Sequence, residues 1–229
     1  MQKSPVVNTW LAIKKVIQDL TSWSVYLYVP NLIGYSRVIL SLLSFIFYQS
    51  PYIFLPCYAI SFVLDAVDGT AARAFDQCSQ FGAILDMFTD RGSVACLYAI
   101  LCIFYPKYAA IFLIGGFLDI TSHYVHMYKA SMYGEKNHKK LPPGTFWFLR
   151  LYYEKRKFMG ACCIGNESFL LGLYMMHFHN GSCPVCQGLM AILGFLWLCK
   201  AFAHICQMCS GMWWMAEFDR QARRSQQAK

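Results

Sequence analysis

Four aspartates and an arginine stand at fixed spacing in one of the more apolar parts of this sequence: Asp65-x2-Asp68-Gly69-x2-Ala72-Arg73, eight residues, then Gly82-x3-Asp86-x3-Asp90. Ionisable groups inside stretches apolar enough to cross a membrane are costly and mark functional sites. Residues three and four apart on a helix are neighbours. Asp65, Asp68, Gly69, Ala72 and Arg73 therefore form one stripe, and Gly82, Asp86 and Asp90 a second. Antiparallel packing of the two helices brings the four carboxylates together. Left unpaired they repel and resist ionisation, and only Arg73 and Arg91 lie close in sequence to balance them. Divalent cations resolve this. Hard oxygen ligands suit Mg²⁺ or Mn²⁺, and two such ions clamp a diphosphate and stabilise charge developing in displacement. Gly69, Ala72 and Gly82 remove bulk where a ligand or helix approaches. Arg73 offers a planar cation for phosphate, and Ser79 a hydroxyl in the turn above the cluster. The structural alternative, buried ion pairs that hold helices together, leaves charge unpaired.

The elements that carry these residues are membrane spans. Of 229 residues, 57% are hydrophobic and 14% charged, against about 25% charged in a soluble globule; mean hydropathy is +0.37. The pattern predicts an all-α polytopic membrane protein with six spanning helices, near 30–48, 51–74, 81–105, 108–128, 157–178 and 185–215. Residues 1–25 form an N-terminal amphipathic interfacial segment, 26–218 the six-helix domain and 219–229 a basic tail. Within the first segment Val6, Trp10, Ile13, Ile17 and Leu20 share one face, while Lys14, Lys15, Gln18 and Asp19 lie elsewhere, as in a helix lying on the bilayer. A polar loop is expected over 129–148, with Pro142-Pro143-Gly144 inside it.

Lys and Arg cluster before span one (Lys3, Lys14, Lys15), around the loop between spans four and five (Lys129, Lys136, Lys139, Lys140, Arg150, Lys155, Arg156, Lys157) and in the tail (Arg220, Arg223, Arg224, Lys229). Six spans put all three on one side, which the positive-inside rule makes cytosolic. Both termini and the carboxylate turn then face the cytosol. The net charge of +8 thus follows topology, and no nucleic-acid partner is expected.

Eleven cysteines are scattered, mostly in apolar runs, where Cys behaves as a small hydrophobe. Cys183-x2-Cys186 and Cys206-x2-Cys209 are spaced like a zinc ribbon, but the apolar residues between them make a helix too long for a zinc knuckle. Sequons at Asn166 and Asn180 are expected to be unused, one inside span five and one too near the membrane.

The spacing D-x2-D-G-x2-A-R-x8-G-x3-D-x3-D resembles the signature of the CDP-alcohol phosphotransferases, without departure. That resemblance implies a six-spanning homodimer that uses Mg²⁺ or Mn²⁺, two ions per site, to move a phosphatidyl or alcohol-phosphate group from a CDP-linked donor to a hydroxyl, with release of CMP. It implies metal binding by Asp65, Asp68, Asp86 and Asp90, with Asp90 also the base on the acceptor hydroxyl. Gly69, Ala72, Arg73, Ser79 and Gly82 would contact the CDP-lipid.

Val29 to Arg37, Phe81 to Arg91, Leu118 to His126, Arg150 to Tyr153 and Gly165 to Glu167 are similar to the inositol-using eukaryotic members of that family, for which the donor is CDP-diacylglycerol, the acceptor myo-inositol and the location the endoplasmic reticulum. Asp119, Ser122, His123 and His126 make one polar stripe on span four. Asp119, Ser122, His123 and Arg150 are the acceptor candidates, because a polyol needs many hydrogen-bond partners. An interhelical network explains the stripe equally well, and Arg150 equally serves topology. On span one Asn31 and Arg37 do not share a face, and Asn31 is the candidate for nucleotide contact. The alternatives are another acceptor (glycerol phosphate, serine, choline or ethanolamine), an intramembrane prenyltransferase, or a cation transport protein that would not need Arg73.

Overall fold

The computed structural model describes residues 5–21, 24–133, 146–179 and 184–227. Lys3, Lys136, Lys139, Lys140, Lys229, the Pro142–Gly144 turn, Cys183 and the Asn180 sequon lie outside them. Among the described residues all regular structure is helical: α1 Pro5–Thr21, α2 Val29–Ile46, α3 Pro51–Ala74, α4 Gln80–Phe104, α5 Ala109–Tyr133, α6 Trp147–Glu154, α7 Arg156–Phe178 and α8 Pro184–Gln227, with 3₁₀ turns at Val25–Leu27 and Pro106–Tyr108. Six of these helical stretches are long and apolar enough to cross a bilayer, and the chain is an integral membrane protein. The chain divides into two compact units, residues 1–93 and 94–229, with the boundary inside α4.

In the first unit burial runs opposite to that of a soluble protein. Helix α2 buries Asn31, Gly34, Arg37, Ser41 and Ser44 and exposes Ile39, Leu42 and Ile46. Lipid is as apolar as leucine, so helices here gain from close approach and polar contacts rather than from burying oil. Ser41 Oγ meets Ser61 Oγ on α3 at 3.0 Å and accepts from Ser93 Oγ on α4 at 3.0 Å, and Ser61 Oγ donates to the Arg37 carbonyl at 3.1 Å. Gly34 lets α4 in: a Cβ there would sit 2.8 Å from Leu85 Cδ2.

Helix α3 ends on a left-handed residue. Asp76 has φ 56°, and the Gln77 N–H returns to the Ala72 carbonyl at 2.9 Å while that of Phe75 reaches Ala71. This is the Schellman arrangement, which usually places glycine at the position Asp76 holds. Ser79 then opens α4, its Oγ accepting from the Gly82 N–H at 3.0 Å, an N-cap bond. Trp10, Lys14 and Gln18 of α1 come together on this turn. The sequence had set Trp10 apart from the two polar residues, but at four-residue intervals the three follow one edge of the helix.

In the second unit the Tyr98 ring lies against Gly115 and Gly116 of α5, and its hydroxyl accepts from Trp197 Nε1 of α8 at 2.8 Å. Tyr105 donates to the Leu173 carbonyl of α7 at 2.9 Å. Two expectations are corrected. The loop over 129–148 yields at its start to α5, which runs on to Tyr133, and at its end to α6 from Trp147. Helix α6 forms because Tyr152 packs with Cys162 and Ala203, a gain its short sequence does not reveal. The sixth span, expected to stop near 215, continues to Gln227 in a helix of 44 residues. Beyond the apolar part, Glu217 accepts from Arg220 at 2.8 Å and from Gln221 at 3.4 Å, and such i,i+3 and i,i+4 pairs support a helix in water.

Candidate active site

The four aspartates converge, and they converge on Arg37. Its Nη1 lies 2.6 Å from Asp68 Oδ2 and 2.7 Å from Asp86 Oδ1, and its Nη2 lies 2.7 Å from Asp65 Oδ1 and also bonds Asp90 Oδ1. The expectation that only Arg73 and Arg91 balance the cluster is therefore corrected. Arg37 was set aside because it does not share Asn31's face, yet the face it does occupy is the one turned to α3 and α4. Arg91 Nη2 stands 3.4 Å from Asp90 Oδ2. Arg73 is exposed and folds back toward Thr70 Oγ1 at 3.5 Å.

Arg37 is 2% exposed and Asp68 7%; Asp65, Asp86 and Asp90 are half-buried. One guanidinium cannot neutralise four carboxylates. Asp65, Asp68 and Asp86 each place an oxygen within 4.8 Å of the other two, so ligands reaching about 2.0 to 2.6 Å can share one ion. The residues thus fit divalent cations on both charge and spacing.

Beside the carboxylates opens a cleft of about 180 Å³ lined by Asn31, Gly34, Asp68, Gly69, Ala72, Arg73, Gln77, Cys78, Ser79, Gly82 and Asp86. Asn31 is buried, and its Nδ2 donates to the Val25 carbonyl at 2.6 Å. A Cβ on Gly82 would stand 2.8 Å from Asn31 Oδ1 and 3.1 Å from Ser79 Oγ, whereas one on Gly69 would meet nothing nearer than Arg73 Nη1 at 3.6 Å. Glycine at 82 therefore makes room for the protein's own side chains, and glycine at 69 leaves room in the cleft. Gln77 was missed by the sequence reading. Its Oε1 accepts the Val29 N–H at 2.9 Å, which ties the start of α2 to the turn before α4.

The span-four stripe lies in the second unit. Asp119 and Ser122 are buried, and His126 is exposed and stacks on Tyr153 at 6.0 Å. Ser122 Oγ donates to the Asp119 carbonyl at 3.1 Å, and His123 Nδ1 lies 2.7 Å from that carbonyl. His204 of α8, also missed, brings Nε2 to 3.5 Å from Asp119 Oδ1. Arg150 is exposed on α6. On the same short helix, burial and the neighbouring Cys163 push the Tyr153 hydroxyl up to about 12, so it stays protonated. Asn166 is 2% exposed within α7. Cys186, Cys206 and Cys209 lie along the single helix α8, where the first two are about 30 Å apart at 1.5 Å per residue and cannot share a metal.

A cluster of helix-borne aspartates beside an open cleft points to a class, and comparison with known proteins gives the same class. Residues 27–178 match the profile of the CDP-alcohol phosphatidyltransferases, and the chain belongs to that family. It is 46% identical over 156 residues to the CDP-diacylglycerol–inositol 3-phosphatidyltransferase of Schizosaccharomyces pombe, covering 68% of this chain and 66% of that protein. It is 43% identical over 166 residues to the protein of the same name from Saccharomyces cerevisiae (72% and 76% covered) and 40% identical over 166 residues to that from Homo sapiens (69% and 75%). No solved structure matches significantly.

Proposed function

We infer that this protein transfers the phosphatidyl group of CDP-diacylglycerol to myo-inositol and releases CMP. The observation that carries the chemistry is the convergence of Asp65, Asp68, Asp86 and Asp90 beside the cleft; the names of the relatives supply donor and acceptor. Asp65, Asp68, Asp86 and Asp90 would hold two divalent ions, Mg²⁺ or Mn²⁺, which would supply positive charge against the diphosphate and the departing CMP. Gly69 and Ala72 keep the wall of the cleft low for the donor. Asn31 and Ser79 line its nucleotide side, and Gly82 lets those two side chains pack together. Arg73 swings from Thr70 to a phosphate oxygen.

Asp90, oriented by Arg37 and Arg91, takes the proton of an inositol hydroxyl. The hydroxyl oxygen bonds to the lipid-side phosphorus, the bond from that phosphorus to the bridging oxygen breaks, and CMP departs. In the second unit Asp119, Ser122, His123 and Arg150 are the candidate polyol-binding residues, with His204 Nε2 3.5 Å from Asp119 Oδ1. The protein works as a homodimer in the endoplasmic reticulum membrane, with its site on the cytosolic side. Lys14, Lys15, Arg156 and Arg223, all on that side of a six-span chain, support this orientation.

The test is CMP release from purified protein given CDP-diacylglycerol and Mn²⁺, with and without myo-inositol, beside Asp90→Asn. Inositol-dependent release that the substitution lowers by about 100-fold or more supports the assignment. Release that instead requires glycerol phosphate, serine, choline or ethanolamine keeps the family and overturns the acceptor. No release with any acceptor overturns the enzyme.

A further inference from the structure

We propose that α1 is a latch on the donor cleft: Trp10, Lys14 and Gln18 hold the Phe75–Asp76 turn and thereby position Gln77, Cys78 and Ser79 against the CDP-bearing end of the donor. These are positioning residues, and the role rests on the donor reading of the cleft given above.

Three contacts of different kinds meet on two residues. Lys14 Nζ pairs with the Asp76 carboxylate. Gln18 Nε2 donates to the Phe75 carbonyl at 2.8 Å. The Trp10 ring lies 5.7 Å from the Phe75 ring, centre to centre. The next three residues, Gln77, Cys78 and Ser79, all line the cleft.

The turn has reason to need holding. Asp76 sits at φ 56°, a left-handed conformation that favours glycine over a residue with a Cβ. From its far side the turn is tied to α2 through Gln77 and Val29. A helix that only anchored the chain to the bilayer would need its apolar residues toward lipid and its charges toward water. Here the edge bearing Trp10, Lys14 and Gln18 is spent on the turn instead, while Leu11, Ile13 and Val16 remain exposed. The helix therefore has two working sides, one for the bilayer surface and one for the turn.

Lys14 is half-buried and Asp76 exposed, so the pair alone is worth little, up to about fivefold in an equilibrium. Reversing one charge turns attraction into repulsion and amplifies the effect.

The test uses the full-length protein in mixed micelles with Lys14→Glu, Asp76→Lys, the double variant and Lys15→Glu as the charge control. Two readouts are taken. The first is the KM for CDP-diacylglycerol beside kcat and the KM for myo-inositol. The second is the rate at which N-ethylmaleimide alkylates Cys78, located by peptide mass spectrometry. Cys78 is exposed in the cleft wall, and its labelling reports the turn without reference to turnover.

Lys14→Glu should raise the donor KM and the Cys78 labelling rate about fivefold each, leave kcat and the inositol KM within twofold, and be restored by Asp76→Lys. Lys15→Glu should change neither. Labelling that Lys14→Glu leaves unchanged, or that Asp76→Lys does not restore, overturns the latch. A fall in kcat with unchanged KM also overturns it, because that is the mark of lost folded protein. Labelling that shifts and reverts while the donor KM stays fixed overturns the donor reading of the cleft and leaves the mechanical coupling standing.

Discussion

Replacing Arg37 by methionine should make the stability of this protein depend on metal. The side chain is 2% exposed, and Asp68, its most buried partner, is 7% exposed. Removing one member of a buried pair costs about 3 to 5 kcal/mol, because the other charge stays behind. Asp65 and Asp86 retain 38% and 48% of their side-chain exposure, so water screens them and they add little. The lower end, about 3 kcal/mol, is the appropriate figure, and at about 2 to 4 °C per kcal/mol for a chain of this size it predicts a loss of roughly 6 to 12 °C. With two divalent ions bound, four positive charges face four carboxylates and Arg37 is no longer needed for balance. Each ion at 100 times its dissociation constant adds about 2.7 kcal/mol. The melting temperature of Arg37→Met, followed by tryptophan fluorescence, should fall by that amount in EDTA and recover most of it in saturating Mn²⁺. The wild type should gain less from the metal. An equal deficit with and without Mn²⁺ would refute the charge argument, and so would a variant that melts with the wild type in EDTA.

Two glycines of the signature should separate. Gly69→Ala adds a methyl no closer than 3.6 Å to its neighbours, so melting should stay within about 1 °C while the KM for CDP-diacylglycerol rises at least fivefold. Unchanged kinetics would take the donor away from that wall. Gly82→Ala puts a methyl 2.8 Å from Asn31 Oδ1 and should lower melting as well as activity, by about 1 to 3 kcal/mol of overpacking. In the other unit, Gly165→Ala drives its Cβ to 2.6 Å from Leu196 Cβ. It should destabilise by a similar amount, with the KM for either substrate unchanged in the folded fraction. Arg73→Ala should cut CMP release at least tenfold with little change in melting, since Arg73 is exposed; full activity would favour an ion-transport role for the aspartates.

What the sequence disclosed, and what it hid, divides by helix. The aspartate stripes were legible because i,i+3 and i,i+4 spacing determines a face within one helix, whatever packs against it. Arg37 was not, because its partners lie 28 to 53 positions away and the rotation of α2 against α3 and α4 has no local signature. A signal was nonetheless present. Arg37 is the one Lys, Arg, Asp or Glu in its span, and the rule that flagged the aspartates applied to it equally. The same holds for Lys200, His204 and Glu167, all buried in the second unit. The six spans were visible from apolar length alone. The extension of α8 was not, because a helix in water shows no apolar periodicity, and the pairing of Glu217 with Arg220 becomes decisive only once the helix is already there.

The cluster also constrains how the protein is made. A charge near the middle of a span raises the cost of release into lipid by about 2.5 to 3.5 kcal/mol, and α2 is synthesised with Arg37 in it before any carboxylate partner exists. Asp68 follows 31 positions later and Asp90 53 positions later. At about 5 to 20 residues per second, roughly 3 to 10 seconds separate the arginine from its last partner. Through that interval α2 is held better by the insertion machinery than by lipid, and α3 and α4, each bearing its own aspartates, are in the same position. The three helices are therefore expected to leave for the bilayer as one assembled bundle. The charges assigned to group transfer thus also bear on assembly: a chain with a mispaired α2 would carry an unbalanced charge into lipid.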